Sequence, residues 1–527
     1  METQTTVKTG AYYDSITLLQ AAQALLRLPG ITDAAVVMGT SANKGILKDA
    51  ALLTPEAAAA ADTDLVIAVR AASAEEAASA LAQAGALLAA TRAPQNAVEA
   101  APSPKTLSAA VDQLGGANVA LVSVAGRYAA GVARDALNHD LHVFLFSDNV
   151  RIEDEIALKT LAREKGRLVM GPDAGTAILN GVALGFANAV LRGPVGIVAA
   201  SGTGLQAVSS YLTRMGVGIS QGIGVGGRDL SSEVGGLMML EGLRALQADP
   251  ATHVLLLVSK PPAPEVAEKV LAQLADGDKP AVVCFLGGKA KPIYKAGGIP
   301  AATLEEAALL AAALASHAPP ETALAQIERG QKALEKQAKS LRKRLGPQQR
   351  YFRGLFSGGT FCYETQLVLN KLLPKGYKIA SNAPVKQKYL LAEGAAAGHI
   401  AIDLGEDEFT VGRLHPMLDP ALRNRRILHA AQDPQTAIIF LDIVLGYGVH
   451  PDPAGAAVEA IREVQTTLDA AGREVLFIAS VCGADGDPQN ARAQEAKLEE
   501  AGVIVMPTNA AASRLAGYIL DFESYCG

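Results

Sequence analysis

Two short segments of the sequence place hydroxyl side chains and glycines at the end of an apolar run. Ser201-Gly202-Thr203-Gly204 follows Val195–Ala199, and Ser357-Gly358-Gly359-Thr360 follows Gly354-Leu355-Phe356. A run with helical periodicity comes after each segment, at 205–214 and 361–372. Helix N-termini expose unpaired backbone N–H groups and a positive dipole end, which together bind phosphate or carboxylate. The two segments therefore predict two helix starts directed at one shared anion.

Other polar residues follow further predicted strands and could complete such a site. Lys260, Arg228 and Lys295 are candidate catalytic cations that would offset the charge of a bound phosphate. Each also has a structural alternative, because Arg228 can pair with its neighbour Asp229, Lys260 precedes a proline turn and Lys295 can be solvated. Ser201 and Ser357 can likewise be plain helix caps. The candidate substrate-binding residues are Gly226, Gly227, Arg413 and His415.

Composition excludes several classes of protein. The 527 residues carry 47 Lys and Arg against 53 Asp and Glu, so the net charge of −6 argues against a nucleic-acid partner. The four cysteines are scattered, without metal-ligand spacing, so neither a disulfide framework nor a metal site is expected. Met1–Gly10 shows no signal peptide, and no apolar run reaches the ~20 residues of a membrane span. We expect a cytoplasmic protein without a membrane partner.

Strand and helix patterns alternate along the chain, which predicts an α/β fold with parallel, doubly wound sheets. Its ligand crevice would lie at the carboxyl ends of the strands. From Arg350 onward the order of the middle third returns: Val254–Pro264 reappears as Ile438–Pro453, and Ala281–Gly288 as Glu474–Gly483. This order indicates an internal duplication. The expected domains are 1–190, 191–320 and 350–527, with an exposed helical connector over 321–349.

The chain also resembles a known superfamily. From Asn118 to about Leu314 it resembles the α subunit of succinyl-CoA synthetase and other NDP-forming acyl-CoA synthetases, and the last third resembles the CoA-ligase domain of the β subunit. Within the superfamily it is most similar to the FdrA proteins. The segments that carry the first resemblance are Leu121–Gly126, Glu155–Lys165, Gly171-Pro172-Asp173, Gly193–Thr203 and Gly222–Asp229. In the last third, Phe356–Thr360 takes the place of a helix-capping loop of the β subunit. The similarity to the FdrA proteins is carried by Phe146–Asn149, Gly226–Ser231, Val258–Pro262 and Arg413–Met417.

The resemblance implies an N-terminal Rossmann-like, CoA-binding-type domain over 1–190, followed by two flavodoxin-like CoA-ligase domains related by duplication. In the synthetases, two facing helices cradle the phosphoryl group. Here their starts would be Ser201–Gly204 and Ser357–Thr360, in agreement with the interpretation of those segments as anion sites.

The sequence departs from the synthetases where their nucleotide-driven chemistry resides. Their phosphorylated histidine corresponds to Lys295 in the segment Tyr294–Gly298, and the glutamate that steadies it corresponds to Lys260. No ATP-grasp domain or Walker loop is visible. The nearest candidate for their CoA-binding turn is Gly39–Lys44, so the sequence leaves open whether this crevice holds CoA, a nucleotide or neither.

The FdrA resemblance implies a subunit of oxamate carbamoyltransferase in allantoin and purine breakdown, which converts oxalurate and phosphate into oxamate and carbamoyl phosphate. The partners would be phosphate or carbamoyl phosphate, a small carboxylate-amide substrate and further protein subunits. The reaction requires no cofactor, because a phosphate held between the two helix starts can itself be the nucleophile. The alternatives are a subunit of an NDP-forming acyl-CoA synthetase and a non-catalytic scaffold with the same fold.

Overall fold

The computed structural model describes residues 2–11, 13, 15–26, 28–92, 104–374, 377–392, 398–410 and 414–521. The chain forms two compact units. The first consists of residues 1–105 with 407–414, and the second of residues 106–406 with 415–527. Within the described residues, no helix has the length and hydrophobicity needed to cross a bilayer.

The first unit is built on a three-stranded antiparallel sheet with the order β1-β3-β2. Leu65, Ile67 and Val69 of the central strand pack against one pair of helices, while Val66 and Ala68 pack on the opposite face. Its elements are β1 (Glu2–Lys8), α1 (Ser15–Leu26), β2 (Ile31–Met38), α2 (Ser41–Asp49), α3 (Pro55–Ala59), β3 (Leu65–Ala71) and α4 (Ala74–Arg92).

This sheet differs from the parallel sheet that the sequence predicts for the start of the chain. The strand β1, which the sequence analysis does not identify, pairs with β3 along its whole length, from Glu2 opposite Ala71 to Lys8 opposite Leu65. An alternation of strands and helices fits an antiparallel split arrangement as well as a parallel one. The chain also divides near residue 105, so the range 1–190 does not form one compact body.

The second unit begins with a small parallel sheet of order β4-β5-β6. Apolar residues of its central strand, Val143, Phe144 and Leu145, are fully buried. Its elements are α5 (Leu107–Gln113), β4 (Val119–Val122), α6 (Gly126–Asn138), β5 (His142–Leu145), α7 (Ile152–Glu164) and β6 (Val169–Met170).

A seven-stranded sheet follows, with the order β13-β12-β11-β9-β10-β7-β8. Strands β9 to β13 are parallel, and β7 and β8 form an antiparallel hairpin at the edge beside β10. The elements are β7 (Thr176–Leu179), β8 (Val182–Gly185), β9 (Arg192–Ala199), α8 (Gly202–Arg214), β10 (Ile219–Gly224), α9 (Leu237–Ala248), β11 (Val254–Ser259), α10 (Pro264–Ala275), β12 (Ala281–Phe285), α11 (Ala290–Lys295), β13 (Ile299–Pro300) and α12 (Leu304–Ala315).

A long helix and a six-stranded parallel sheet of order β15-β16-β14-β17-β18-β19 complete the chain. The short helix α15 falls with the first unit. The elements are α13 (Pro320–Arg342), β14 (Tyr351–Phe356), α14 (Gly359–Leu372), β15 (Ile379–Ser381), the 3-10 helix Gln387–Tyr389, β16 (His399–Asp403), α15 (Asp407–Thr410), α16 (Ala421–Gln432), β17 (Thr436–Val444), α17 (Pro453–Ala470), β18 (Leu476–Cys482), α18 (Ala491–Glu500), β19 (Ile504–Met506) and α19 (Asn509–Leu520).

Five strands of each large sheet follow the same order, as the predicted duplication requires: β10-β9-β11-β12-β13 in the first and β16-β14-β17-β18-β19 in the second. Strand β9 is central in the first sheet and β14 in the second. In both sheets the next strands in the chain lie on one side of this central strand, and the later strands lie on its other side. Strands β11, β12 and β13 then correspond to β17, β18 and β19. In open parallel sheets, ligands bind at the carboxyl ends of the strands where the chain changes from one side to the other. Helices α8 and α14 both begin there.

The predicted connector is helical, and one of its faces is buried. In α13, Ala323, Leu334, Ala338 and Leu341 are nearly inaccessible to solvent, and the helix packs on α12 and α19. This helix therefore belongs to the hydrophobic core that spans the two large sheets.

A buried carboxyl group joins three helices behind α14. Glu364 is 1% exposed; its Oε1 accepts the Leu304 N–H at 2.7 Å and its Oε2 accepts a hydrogen bond from Asn509 Nδ2 at 2.7 Å. Burial raises the pKa of Glu364 to about 7. The folded protein therefore keeps a proton on this group at pH values where the unfolded chain has released it.

We predict that the free energy of unfolding falls by roughly 3 kcal/mol between pH 4.5 and pH 7 because of this group, and that Glu364→Gln removes this part of the pH dependence. Urea unfolding at pH 5 and pH 8 measures the effect. Glu335→Gln, on the exposed side of α13, is the control and should leave the pH dependence unchanged. An equal pH dependence in Glu364→Gln and the parent protein would contradict the assignment.

Candidate functional site

The first predicted segment forms the capped start of α8. The Ser201 backbone is extended, and its Oγ accepts the Gly204 N–H at 2.9 Å. In the part of the chain that the structure describes, the N–H groups of Gly202 and Thr203 have no hydrogen-bond partner. The start of α8 thus presents two unpaired amides next to a hydroxyl that is already oriented as a cap.

The start of α14 is held differently. Gly358 is its N-cap and provides no side chain, and the carboxylate of Asp442 accepts the N–H groups of Ser357 and Gly358, each at 2.7 Å. The next two amides, of Gly359 and Thr360, have no partner among the described residues. The carboxylate of Asp442 therefore engages two of the four backbone amides of the second predicted anion site.

The two helix starts are in direct contact. Ser201 Oγ lies 2.5 Å from Thr360 Oγ1, and a Cβ built on Gly358 would lie 2.5 Å from Thr203 Cγ2. The contact places the first turns of the two helices, which carry the unpaired amides and two hydroxyls, next to each other. Because the N-terminal end of each helix carries about half a positive charge, this arrangement favours an anion.

Asp442 belongs to a buried pair that fixes the second helix start. Arg423 Nη1 lies 3.8 Å from Asp442 Oδ1 and donates to the Asp442 backbone carbonyl at 2.7 Å and to Ser357 Oγ at 3.0 Å. Burial raises the pKa of Asp442, and the Arg423 guanidinium opposes that shift. The Ser357 hydroxyl and amide and the Gly358 amide, which the sequence predicts as phosphate ligands, are thus engaged within the protein.

A second carboxyl group, Asp403, lies over the first turn of α14. It ends β16, its Oδ1 accepts the Gly405 N–H at 3.0 Å, and a Cβ on Gly359 would lie 2.3 Å from its Oδ2. Only 2% of Asp403 is exposed, and burial raises its pKa to about 7 against the opposing charge of Lys260. This group changes its charge near neutral pH, directly beside the unpaired amides.

Lys260 is the candidate cation that the structure places near the helix starts. It follows β11, is half-buried, and its Nζ lies 5.7 Å from the centroid of the Tyr363 ring in α14. Burial raises the pKa of both Asp403 and Cys362, and the positive charge of Lys260 opposes each shift. Among the described residues, no carboxylate lies within 4.0 Å of it.

His415 approaches the same carboxyl group from another loop. Its Nδ1 accepts the Met417 N–H at 3.2 Å, which leaves the proton of the neutral ring on Nε2. A Cβ on Gly405 would lie 3.0 Å from His415 Nε2 and 3.3 Å from Asp403 Oδ1. Burial lowers the pKa of His415 to about 4, so the ring is neutral at pH 7 and presents an N–H donor.

Arg228 takes part in an ion pair, and its predicted catalytic role stays a prediction. Its Nη2 lies 2.9 Å from Glu155 Oε2 and donates to the Val150 carbonyl at 2.8 Å. Glu155 in turn pairs with Lys159, which is fully buried and also pairs with Asp229, each at 2.8 Å. The guanidinium thus belongs to an ion-pair network that holds the loop after β10 against α7.

The remaining predicted site residues lie at different places. Gly227 lines a cavity of about 180 Å3 together with Lys260, Ser259 and Ala200, so it lies close to the cluster. Gly226 has φ +86° and packs on the Pro172 carbonyl. Lys295, which corresponds to the phosphorylated histidine of the synthetases, is the exposed last residue of α11. It makes no ion pair in the described part of the chain. Arg413 lies outside the described residues.

A larger cleft, of about 710 Å3, lies at the other end of α8. Its two arginines are already paired: Arg214 with Glu495 at 2.6 Å and Arg492 with Asp485 at 2.9 Å. Within the described residues, no group of three His, Cys, Asp or Glu side chains could hold a metal ion. The joined helix starts therefore remain the best candidate site.

Sequence reasoning missed the two aspartates and Arg423, although one signal was present. Asp403 ends the apolar run His399–Asp403, and Asp442 interrupts the apolar run Thr436–Val444. A charged residue inside or at the carboxyl end of a buried strand needs a specific partner. The sequence does not indicate that both carboxyl groups face the start of α14.

Three protein-family models match the sequence. The model described as "CoA-ligase" matches residues 355–519, "CoA binding domain" matches 192–287, and "AllF, heavy metal-associated domain" matches 1–104. The CoA-binding match thus lies in the seven-stranded sheet, whereas the sequence analysis places a domain of that type at 1–190. Residues 1–104 contain neither cysteine nor histidine, so they do not provide the thiolate and imidazole ligands that a soft heavy metal requires.

Several curated proteins are similar to the chain. The "Uncharacterized protein YahF" of Escherichia coli is 42% identical over 506 residues, which cover 96% of each sequence. The α subunit of an ADP-forming succinate–CoA ligase from Methanothermobacter thermautotrophicus is 26% identical over 191 residues, 36% of this chain and 63% of that subunit. The α subunit of a malate–CoA ligase from Methylorubrum extorquens is 29% identical over 205 residues, 37% of this chain and 68% of that subunit.

Among solved structures, a dinucleotide-forming acetyl-coenzyme A synthetase 1 from Ca. Korarchaeum cryptofilum, in complex with phosphate and ADP, aligns over 76% of this chain and 82% of its own. The TM-score is 0.33 and the sequence identity 17%.

We predict that Gly358→Ala forces the helix starts apart, because the new methyl group would meet Thr203 Cγ2. The expected loss is about 1–3 kcal/mol in the free energy of unfolding. Urea unfolding measures it, and Thr203→Ala in the same protein should restore part of the loss by removing the opposing methyl. Gly330→Ala, where a Cβ meets nothing within 4 Å, is the control. Additive effects of Gly358→Ala and Thr203→Ala would contradict the contact.

Proposed function

The chain belongs to the same family as YahF of Escherichia coli, and its CoA-ligase and CoA-binding regions place it in the succinyl-CoA synthetase-like superfamily; from that premise we propose that it is a subunit of an acyl-CoA-synthetase-like enzyme that transfers an acyl group to or from phosphate. The observation that carries the proposal is the contact between the starts of α8 and α14, with their unpaired amides. The names of the similar CoA ligases contain the word subunit, which supports the proposal of partner subunits.

The charge balance at this contact favours a phosphate group. Arg423 offsets Asp442, and solvent screens the exposed carboxylate of Glu406, so the main remaining charges are the two helix dipoles and Lys260 against Asp403. With Asp403 protonated, the site carries an excess of about two positive charges, since each dipole is equivalent to about half a charge. A dianionic phosphate matches that excess. We propose Gly202, Thr203, Gly359 and Thr360 as its amide ligands, with Ser201, the Thr360 hydroxyl and Lys260 around them.

These groups suit the chemistry of an acyl phosphate. When a nucleophile attacks the acyl carbon, the phosphate departs with the bonding electrons and gains negative charge. Amides already directed at that charge stabilise it without reorganising, and the removal of one such donor typically costs a factor of 10² to 10³ in rate. In the reverse direction the same groups hold phosphate as the nucleophile. A transfer of this kind at the helix starts needs no covalent intermediate with the protein.

The missing histidine limits how the acyl phosphate is made. No histidine lies between His253 and His317, and the segment expected to carry it contains Lys295 at the surface. We therefore propose that this chain uses an acyl phosphate directly and that any nucleotide-driven step belongs to another subunit. The proposal predicts that incubation with γ-labelled ATP leaves no acid-labile phosphate on the chain. Stable acid-labile label would favour the phosphohistidine relay of the synthetases.

The missing histidine also favours a second candidate. Carbamoyl phosphate is itself an acyl phosphate, so the same site could serve the carbamoyl transfer between oxalurate and oxamate that the FdrA resemblance implies. An assay that offers acetyl phosphate with CoA and carbamoyl phosphate with oxamate separates the two candidates. Formation of the thioester supports the ligase-like reaction, and formation of oxalurate supports carbamoyl transfer.

We predict that Lys260→Met weakens the binding of inorganic phosphate about 10- to 100-fold at low ionic strength, because it removes one charge-assisted contact. Titration calorimetry measures the change, and added salt should reduce it. Lys291→Met, which removes an exposed charge on α11, is the matched control and should leave the affinity within about 2-fold. Unchanged affinity in Lys260→Met, or no phosphate binding in the parent protein, would contradict the proposed site.

A further inference from the structure

Two buried carboxyl groups face the start of α14, and their surroundings differ. Both oxygens of Asp442 accept backbone N–H groups, and Arg423 lies against it. Asp403 has one oxygen engaged, since Oδ1 accepts the Gly405 N–H, while Oδ2 has no hydrogen-bond partner in the described part of the chain. Asp442 is thus a structural carboxylate, whereas Asp403 retains an oxygen that can accept or release a proton.

The position of Asp403 is fixed by the sheet. In the parallel pairing of β14 with β16, Asp403 lies level with Phe356, just before the turn that starts α14. The side chain of Asn382 hydrogen-bonds to both backbone groups of Asp403: Nδ2 donates to the Asp403 carbonyl at 2.8 Å, and Oδ1 accepts the Asp403 N–H at 2.9 Å. Glycine at 359 leaves the space that Oδ2 occupies, because any Cβ there would lie 2.3 Å from that oxygen.

Charged and titratable groups surround Asp403 from several elements. Lys260 approaches from the end of β11, Asp442 from β17, Cys362 from α14, and Glu406 from the loop that follows β16. His415 Nε2 and Asp403 Oδ1 lie 3.0 Å and 3.3 Å from the same point, the Cβ position of Gly405. The free oxygen Oδ2 therefore lies over Gly359 at the start of α14, while Lys260 and His415 lie near the same carboxyl group.

We propose that Asp403 is the catalytic residue that carries the proton in the acyl transfer, an inference that rests on the proposed function. The nucleophile, a thiol or an amide nitrogen, forms a bond to the acyl carbon as the bond from that carbon to the phosphate oxygen breaks. The phosphate leaves with the bonding electrons and stays at the helix starts. The proton of the nucleophile passes to Asp403 Oδ2. In the reverse reaction, protonated Asp403 returns the proton to the departing sulfur or nitrogen as phosphate attacks.

The local environment suits this role. Burial raises the pKa of Asp403 to about 7, so both protonation states are populated near neutral pH. General acid–base catalysis is most efficient when the pKa of the group lies near the working pH. An ordinary aspartate would be almost fully ionised there and would be a poor proton donor in the reverse direction.

Asp403→Asn tests the proposal, because the amide keeps the size of the side chain and the acceptor for Gly405 N–H. Transfer from acetyl phosphate to CoA and from carbamoyl phosphate to oxamate is followed from pH 5.5 to 9 in the full chain, with partner subunits where these are required. In the parent protein, kcat/KM should rise with pH through an inflection near 7, the pKa of Asp403 in the free enzyme, and the inflection in kcat should lie at higher pH. Asp403→Asn should lose the inflection and 10²- to 10⁴-fold in rate. Glu406→Gln, which removes the exposed neighbouring carboxylate, should retain the inflection.

Phosphate binding separates a failure of this inference from a failure of the proposed function. Calorimetry in two buffers of different ionisation enthalpy measures proton uptake on binding inorganic phosphate near pH 7. A phosphate that binds as the dianion near pH 7 releases part of its own proton in both proteins. Because a bound phosphate raises the pKa of Asp403, the parent protein should take up more protons, or release fewer, than Asp403→Asn, which should bind phosphate at least as tightly. Equal uptake and an unchanged pH profile in Asp403→Asn would overturn the role of Asp403 alone. Absence of phosphate binding in the parent protein would overturn the proposed function and this inference together.

Discussion

The structure depends on the close approach of two helix N-termini whose positive ends repel one another. Ser201 and Thr360 touch, and Gly358 has no room for a side chain against Thr203. Such an arrangement requires negative charge nearby, and the carboxylate of Asp442 provides it by accepting two of the amides at the second helix start. The other amides stay unpaired. The repulsion is therefore only partly relieved within the protein, and a bound anion would relieve the remainder.

The two large sheets impose this approach. In each sheet, the first parallel strand in the chain is central and is followed by a turn and a helix. The next strands are added on one side of it and the later strands on the other side. The core that packs α8, α12, α13, α14 and α19 together leaves the helices little freedom to separate. The site is thus a consequence of the duplicated topology, and the side chains around it adjust the charge.

The sequence predicted the parts of the site that depend on local pattern. Ser201-Gly202-Thr203 and Ser357-Gly358-Gly359 each follow an apolar run and precede a helical one, so the helix starts and the repeat of the sheets were visible. The partners that reach them from distant strands were not visible: Asp403 and Asp442 are separated from Gly358 by dozens of residues, and only the sheet order brings them back. Local pattern also did not reveal β1, because its pairing with β3 depends on a contact across more than 50 residues. For Arg228 the sequence left an ion pair open, but the partner proved to be Glu155 instead of the adjacent Asp229.

Helix α13 has a further consequence for how the site is assembled. It connects the two ligase-like sheets within one polypeptide and buries one face against both α12 and α19. The encounter of the two halves is therefore intramolecular, with an effective concentration set by the tether instead of by the abundance of two separate chains. Dilution would not dissociate the halves, and each molecule would always contain them in a one-to-one ratio.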